Sequence, residues 1–300
     1  MKNHYIARIV VAASLSGLGM VSVVSTVGAT TGGSRIAYSS LAINPTPANL
    51  PSEGPEAYAF AQMGNEVNVA ASYNGRSINT VALELSSWAC QSGSWVAGTC
   101  VSAAGSTFLQ PITLNIYNPP ATSSNTPGAL IASVTQTFSV PYRPSSTPDQ
   151  CNGDTQQWYD ATTHTCYHGV LATVVFHLPG VSLPSTFVYG VSYNTTHFGP
   201  NPIGESAACY TTSQGCPYDS LNIALSTDDL GHADNNVTVG TDTNSGTLWQ
   251  NSSIASEYCD GGAAGTGTFR LDSPNTACWS QVGSGAPYYV PAIEFLTGSF

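Results

Sequence analysis

Cys209 and Cys216 enclose six residues in "CYTTSQGCPYDSL", and three more couples repeat the arrangement: Cys90 and Cys100, Cys151 and Cys166, Cys259 and Cys278. Such couples can hold a metal, cycle between thiol and disulfide, or tie off a loop. Zinc knuckles and redox centres both rely on cysteines two residues apart, and that spacing does not occur. Outside the reducing cytosol an even set of cysteines oxidises. Eight cysteines allow many pairings, but the spacing favours neighbour with neighbour: 90–100, 151–166, 209–216 and 259–278. Closing each loop is worth about 2–3 kcal/mol in the chain-entropy account.

The aromatic residues gather at these loops. Trp88 and Trp95 flank and fill the first, and Trp158 and Tyr159 lie in the second with Tyr167 beside it. Tyr210 lies in the third with Tyr218 just after it, and Tyr258 and Trp279 bracket the fourth. Rings beside disulfides can simply cap a fold. Rings on rigid loops also offer apolar faces with polar rims to amphipathic ligands such as sugars, and a fixed loop lowers the ordering cost of binding. Trp95, Trp158, Tyr159, Tyr210, Tyr218 and Asp219 are therefore the candidate ligand-binding residues, Asp219 offering a carboxylate to hydroxyls.

Other chemistry has weaker signals. "GESAA" (204–208) approaches a nucleophile elbow at Ser206, with His197 and Asp219 as conceivable partners, but Ala208 stands where the closing glycine belongs. Glycoside hydrolysis needs two carboxylates about 5–10 Å apart, and Glu84, Glu205, Glu257 and Glu294 are available without any sign that two of them meet. His164 and His168 have the spacing of a helical zinc pair, with Cys166, an expected disulfide cysteine, between them. Asp228, Asp229, Asp234 and Asp242 make an oxygen-rich stretch of the kind calcium favours, without the EF-hand order. The expectation is no catalytic residue, no metal site and no cofactor.

Charge narrows the partners. The chain carries 17 acidic residues against six lysines and arginines, a net charge of −11, and charged residues are only 8% of it. Lys2 is the only lysine. "IVVAASLSGLGMVSVV" (9–24), after Lys2 and Arg8 and before the small residues of "VGA" (27–29), reads as a secretory leader cut after Ala29. Without residues 1–29, four arginines face the same 17 acids, a net charge near −13. Such a surface repels nucleic acid and anionic membranes. A neutral polysaccharide or cell-surface polymer is the expected partner, with no nucleic acid and no membrane insertion of the mature chain.

Something must position these loops, and the patterns between them alternate with period two. The stretches 78–88, 112–118, 128–140, 171–178, 186–194, 220–225, 236–240, 267–272 and 289–296 read as strands, and 56–62 and 66–72 add two short ones. No convincing helix appears. Many short strands between Gly, Pro, Ser and Asn indicate an all-β fold, a two-sheet antiparallel β-sandwich of jelly-roll type with disulfide-stapled loops. The expected organisation is a signal peptide (1–29), an irregular segment (30–55) and a single sandwich domain (56–300).

"SSWACQSGSW" (86–95), "PITLNIYN" (111–118), "YNTTHFG" (193–199), "PIGESAACYTTSQGCPYDSLNIAL" (202–225) and "EYCDGGAAGTGTFRLD" (257–272) resemble a group of secreted, cysteine-stapled, all-β bacterial proteins without an assigned activity. The resemblance covers most of the mature chain. It implies the fold class and the secreted state and brings no catalytic residue. The functional expectation is a secreted, extracellular binding module for carbohydrate or a cell-wall polymer. A secreted glycosidase-type hydrolase and a structural surface protein without a small ligand are the alternatives.

Overall fold

The alternating run "INTVALELSS" becomes strand β4 (Ser77–Ser87), which turns Val81, Leu83 and Leu85 into the core. The computed structural model describes residues 36–41, 50–55, 58–73, 75–193, 221–226, 237–243, 247–272 and 290–297. Among them there is no α-helix. The strands form two antiparallel sheets, one curled into a half-barrel, and a separate hairpin.

Each sheet is built about a strand whose second edge is shared. In the first sheet, β9 (Val170–Ser182) runs along one side of β4, from Ser77 opposite Ser182 to Ser87 opposite Val170. On the other side β11 (Leu221–Ala224) pairs with Leu85–Ser87, and β15 (Ile293–Leu296) takes over from Leu83 to Thr80. β1 (Ile36–Ser39) extends the sheet from β15, and β2 (Ser52–Glu53) from β11. In the second sheet β3 (Gln62–Asn68) pairs with β10 (Thr186–Tyr193) on one side. Its other side is shared by β12 (Thr241–Asp242) and β13 (Trp249–Gln250). β14 (Arg270–Leu271) follows β13, while β5 (Thr107–Tyr117) and then β6 (Leu130–Pro141) follow β10.

The core lies between the sheets, where Leu83, Phe176, Ile223 and Phe295 meet Met63, Ile112, Leu114 and Phe187. Phe295 packs edge-on to Phe187 with centroids 5.0 Å apart and also touches the rings of Tyr38 and Tyr189. Along one side the sandwich is closed by backbone, because Ser39 of β1 bridges to Val239 just before the chain enters β12 of the opposite sheet. Along the other side the edges of β6 and β9 face each other. There the Gln136 side chain imitates a strand: its amide donates to the His177 carbonyl at 2.8 Å and its oxygen accepts the His177 N–H at 3.2 Å.

The long alternating runs fold as their patterns dictate, and the short ones differ. The stretches 56–62 and 66–72 contribute one strand, β3, because Tyr58 and Phe60 enter the core from turns whose N–H groups bond to Gly54 and Pro55. Segment 30–55 supplies β1 and β2. The loop closed by Cys151 and Cys166 contains the hairpin β7 (Trp158–Asp160) and β8 (Thr165–Tyr167). At its turn Asp160 accepts hydrogen bonds from Thr162 and Thr163, and His164 takes a left-handed φ of 55°.

Two disulfides join Cys90 to Cys100 and Cys151 to Cys166. Cys259 is also oxidised, while Cys209, Cys216 and Cys278 lie outside the described residues. Disulfides suit an oxidising compartment. No helix among the described residues is long and apolar enough to cross a membrane. The expected leader, residues 1–29, lies outside the described residues.

Candidate functional site

β4 ends, β5 begins, β6 ends and β9 begins at one end of the sandwich, so both disulfide loops are delivered there. The loops lock each other. The Gln156 side chain of the second donates to the Val96 carbonyl of the first at 2.8 Å. Gly98, with a left-handed φ of 68°, lies so close to Thr155 that any side chain would collide with it. Arg143 joins them from beneath. It is fully buried, its backbone N–H bonds to Ala89 at 2.9 Å, and its guanidinium donates to the carbonyls of Gln156 at 2.6 Å and Pro144 at 3.2 Å. Burial lowers its pKa to about 10, partly offset by the Asp154 charge, so it stays cationic at neutral pH.

On this base stand three rings. Trp88 is pinned by donating its indole N–H to the Ser86 hydroxyl at 2.8 Å. One face stacks on His168, with centroids 5.2 Å apart and planes 14° apart. Trp95 meets Trp88 edge-on at 4.6 Å and His168 at 6.3 Å. A side chain at Gly169 would overlap the Trp88 indole, which explains the glycine next to His168. All three rings are half-buried. The Trp95 indole nitrogen is enclosed without a hydrogen-bond partner. His168 is held below its ordinary pKa by burial, an effect the Asp154 charge opposes and the Arg143 charge reinforces.

The expected binding residues separate here. Trp95 joins the cluster. Trp158 is 8% exposed, packs on Tyr167 and donates to the Gly169 carbonyl at 2.8 Å, so its ring belongs to the packing. Tyr159 is half-buried, and its hydroxyl shares a 2.8 Å hydrogen bond with His164. Tyr210, Tyr218 and Asp219 lie outside the described residues. Sequence reasoning considered His168 only as half of a zinc pair, missing its stacking on Trp88, and missed Arg143 as part of the site. Lying beside a staple was a usable signal for His168; nothing in the sequence marked Arg143.

The other candidates also resolve into places. Glu84 of β4 and Glu294 of β15 sit on the same outer face of the first sheet, since Glu294 pairs with Ala82 and the Glu84 N–H bonds to Ala292. Both are buried, and burial pushes the Glu294 carboxyl above its ordinary value. Glu257 lies in a helical turn elsewhere. His164 and His168 take different partners, Tyr159 and Trp88, and their intervening Cys166 is oxidised. Asp242 accepts from Asn65 at 2.7 Å. No group of three or more metal-ligating side chains occurs among the described residues. Glu205, Ser206, His197, Asp228, Asp229 and Asp234 lie outside them.

A second surface runs from the stapled end along β5 and β6. Their registers place Leu109 against Ser139, Pro111 against Thr137, Thr113 against Thr135 and Asn115 against Ser133 on the outer face, with Phe108, Ile112, Leu114 and Val140 behind them in the core. Thr113 and Thr135 share a 2.7 Å hydrogen bond, and Ser139 donates to Thr107 at 2.8 Å. At the far end Tyr117 packs on Phe269, and its hydroxyl meets the Gln62 amide, which crosses Gly190 where a side chain would block it.

No family model, no curated protein and no solved structure matches the chain. The resemblance to a bacterial group therefore extends no further than an all-β fold with disulfides.

Proposed function

We propose that the protein is an extracellular binding module for a neutral carbohydrate or cell-wall polymer, with its aromatic contact at the stapled end. The observation that carries this reading is the cluster of Trp88, Trp95 and His168, half-buried on two interlocked disulfide loops. Free loops lose entropy when they grip a ligand, and these have lost most of theirs on folding. Aromatic rings with a polar edge match the alternating C–H and hydroxyl faces of sugars. Retention of purified protein on insoluble polysaccharides tests the reading. Trp95→Ala should cut retention at least about tenfold, a loss of about 1.4 kcal/mol, while the protein stays folded. Equal retention of the variant would remove the cluster from the contact.

A glycosidase reading rests on one observation, that Glu84 and Glu294 share a sheet face on neighbouring strands. Diagonal neighbours on a sheet are about 7–8 Å apart, within the range of inverting enzymes. Burial of both carboxylates weighs against it, because a sugar needs access to them. Release of reducing ends by the wild type but not by Glu84→Gln or Glu294→Gln would establish it.

A further inference from the structure

From the outer face of β5 and β6 we infer that this strip is a binding track for an extended neutral polysaccharide, leading away from the stapled end. The inference rests on the binding-module reading above and adds where the polymer lies. The strip spans the 11 residues of β5, about 35 Å at the rise of a strand. Side chains on it repeat about every 6.7 Å along the strands and about 4.8 Å across them.

Three observations carry it. First, β5 and β6 contain no Asp, Glu, Lys, Arg or His, in a chain of net charge −11. The edge of β6 is shielded by β9 through Gln136 and His177, so the uncharged surface left open is the outer face of the two strands. Second, the hydroxyls are tied to one another, Thr113 to Thr135 and Ser139 to Thr107, so their orientation is set before a ligand arrives. Preorganised hydroxyls lose little entropy on binding. Third, two of the four large apolar side chains exposed among the described residues, Leu109 and Leu130, lie on this strip. Ordered hydroxyls next to apolar contacts match a chain of sugar rings, with C–H faces and hydroxyl edges. A charged partner would find no counter-charge on the strip.

The test is depletion binding of the purified chain to insoluble cellulose and chitin, with the triple variant T113V/T135V/T137V and the stapled-end variant W95A run alongside. Valine keeps shape and strand preference and removes only the hydroxyls, and the thermal midpoint of each variant verifies folding. The expected result is wild-type binding that changes less than about twofold between about 0.1 and about 1 M salt and falls at least about tenfold in the triple valine variant. Wild-type binding that W95A abolishes and the valine variant keeps would overturn the track and leave the binding-module reading standing. No binding by the wild type to either polymer would overturn both. A wild-type dimer that the valine variant dissolves, seen by sedimentation, would assign the strip to a second copy and overturn the proposal.

Discussion

His168 and Glu294 are titratable groups held away from their ordinary behaviour by burial, and they act on stability with opposite sign. Burial disfavours the His168 imidazolium, so its folded pKa lies below the ordinary 6.5. An unfolded chain takes up that proton near pH 6.5 and the folded chain only at lower pH, so stability falls as pH falls through this window. His168→Gln should flatten that part of the curve: the thermal midpoint of the wild type drops more than that of the variant between about pH 7.5 and about pH 5. Parallel curves would mean that the ring protonates freely in the folded protein. For Glu294, burial raises the carboxyl and the Ser39 hydroxyl only partly offsets it. Its charged form is therefore disfavoured, and the stability present below the ordinary carboxylate pKa is lost as pH rises through the folded value. Glu294→Gln should raise the melting temperature at pH 7, with the gain vanishing toward about pH 4. A variant less stable at pH 7 would show that the carboxylate is better hydrogen-bonded than its burial implies. At this scale the sequence was a partial guide. Trp95 was identifiable because it sits inside a cysteine loop, whereas the ring stacked on its neighbour Trp88 comes from His168, far along the chain.

Elements rather than residues set the stapled end. The two loops touch through Gln156 and Val96, through Gly98 against Thr155, and through Arg143 beneath them. Removing either staple by C90S/C100S or C151S/C166S should cost about 2–3 kcal/mol. Two independent loops would give additive losses in the quadruple variant. Because loosening one loop already surrenders its contacts to the other, the combined loss should fall short of the sum by about 0.5 kcal/mol or more, read from urea unfolding midpoints at constant slope. Additivity would mean that the contacts between the loops contribute nothing. The pairing itself was legible, since short spacing leaves few other closures for Cys90–Cys100 and Cys151–Cys166. The long strands β4, β5, β6, β9 and β10 were legible from their period-two sequences; exposure alternates along β5, β6 and β9, whereas β4 and β10 are covered on both faces. β2, β12 and β13 were not, because two residues carry no period, and of the expected strand 267–272 only Arg270 and Leu271 pair, as β14. They exist because a long neighbour, β4 or β3, or a short strand paired to one, offers an open edge that they complete.

For the whole molecule, the net charge understates how little positive surface there is. Arg143 and Arg270 are both fully buried. Arg143 spends its donors on the carbonyls of Gln156 and Pro144. Arg270 bonds Asp260 at 3.1 Å, donates to the Gly265 and Leu271 carbonyls, and lies 4.0 Å over the Tyr258 ring. Asp260 is bound in turn to the N–H groups of Gly262 and Ala264, so this ion pair organises the loop before β14 and leaves its charge unavailable to a ligand. Of the arginines among the described residues, Arg76 alone is exposed. Among the described residues no local basic patch stands on either sheet or at the stapled end to override a charge of −11. Heparin or nucleic acid should not retain the protein at about 0.15 M salt, where the Debye length is about 8 Å and one arginine cannot hold a polyanion against the surrounding field. Replacing Arg76 with Ala should change nothing in that experiment. Retention that disappears in R76A would reveal a focused cationic site and would count against a neutral polymer as the partner. The same scarcity of charge makes the expected affinity for neutral polysaccharide insensitive to salt, so a steep salt dependence on cellulose or chitin would point to ionic groups in the support rather than to sugar rings.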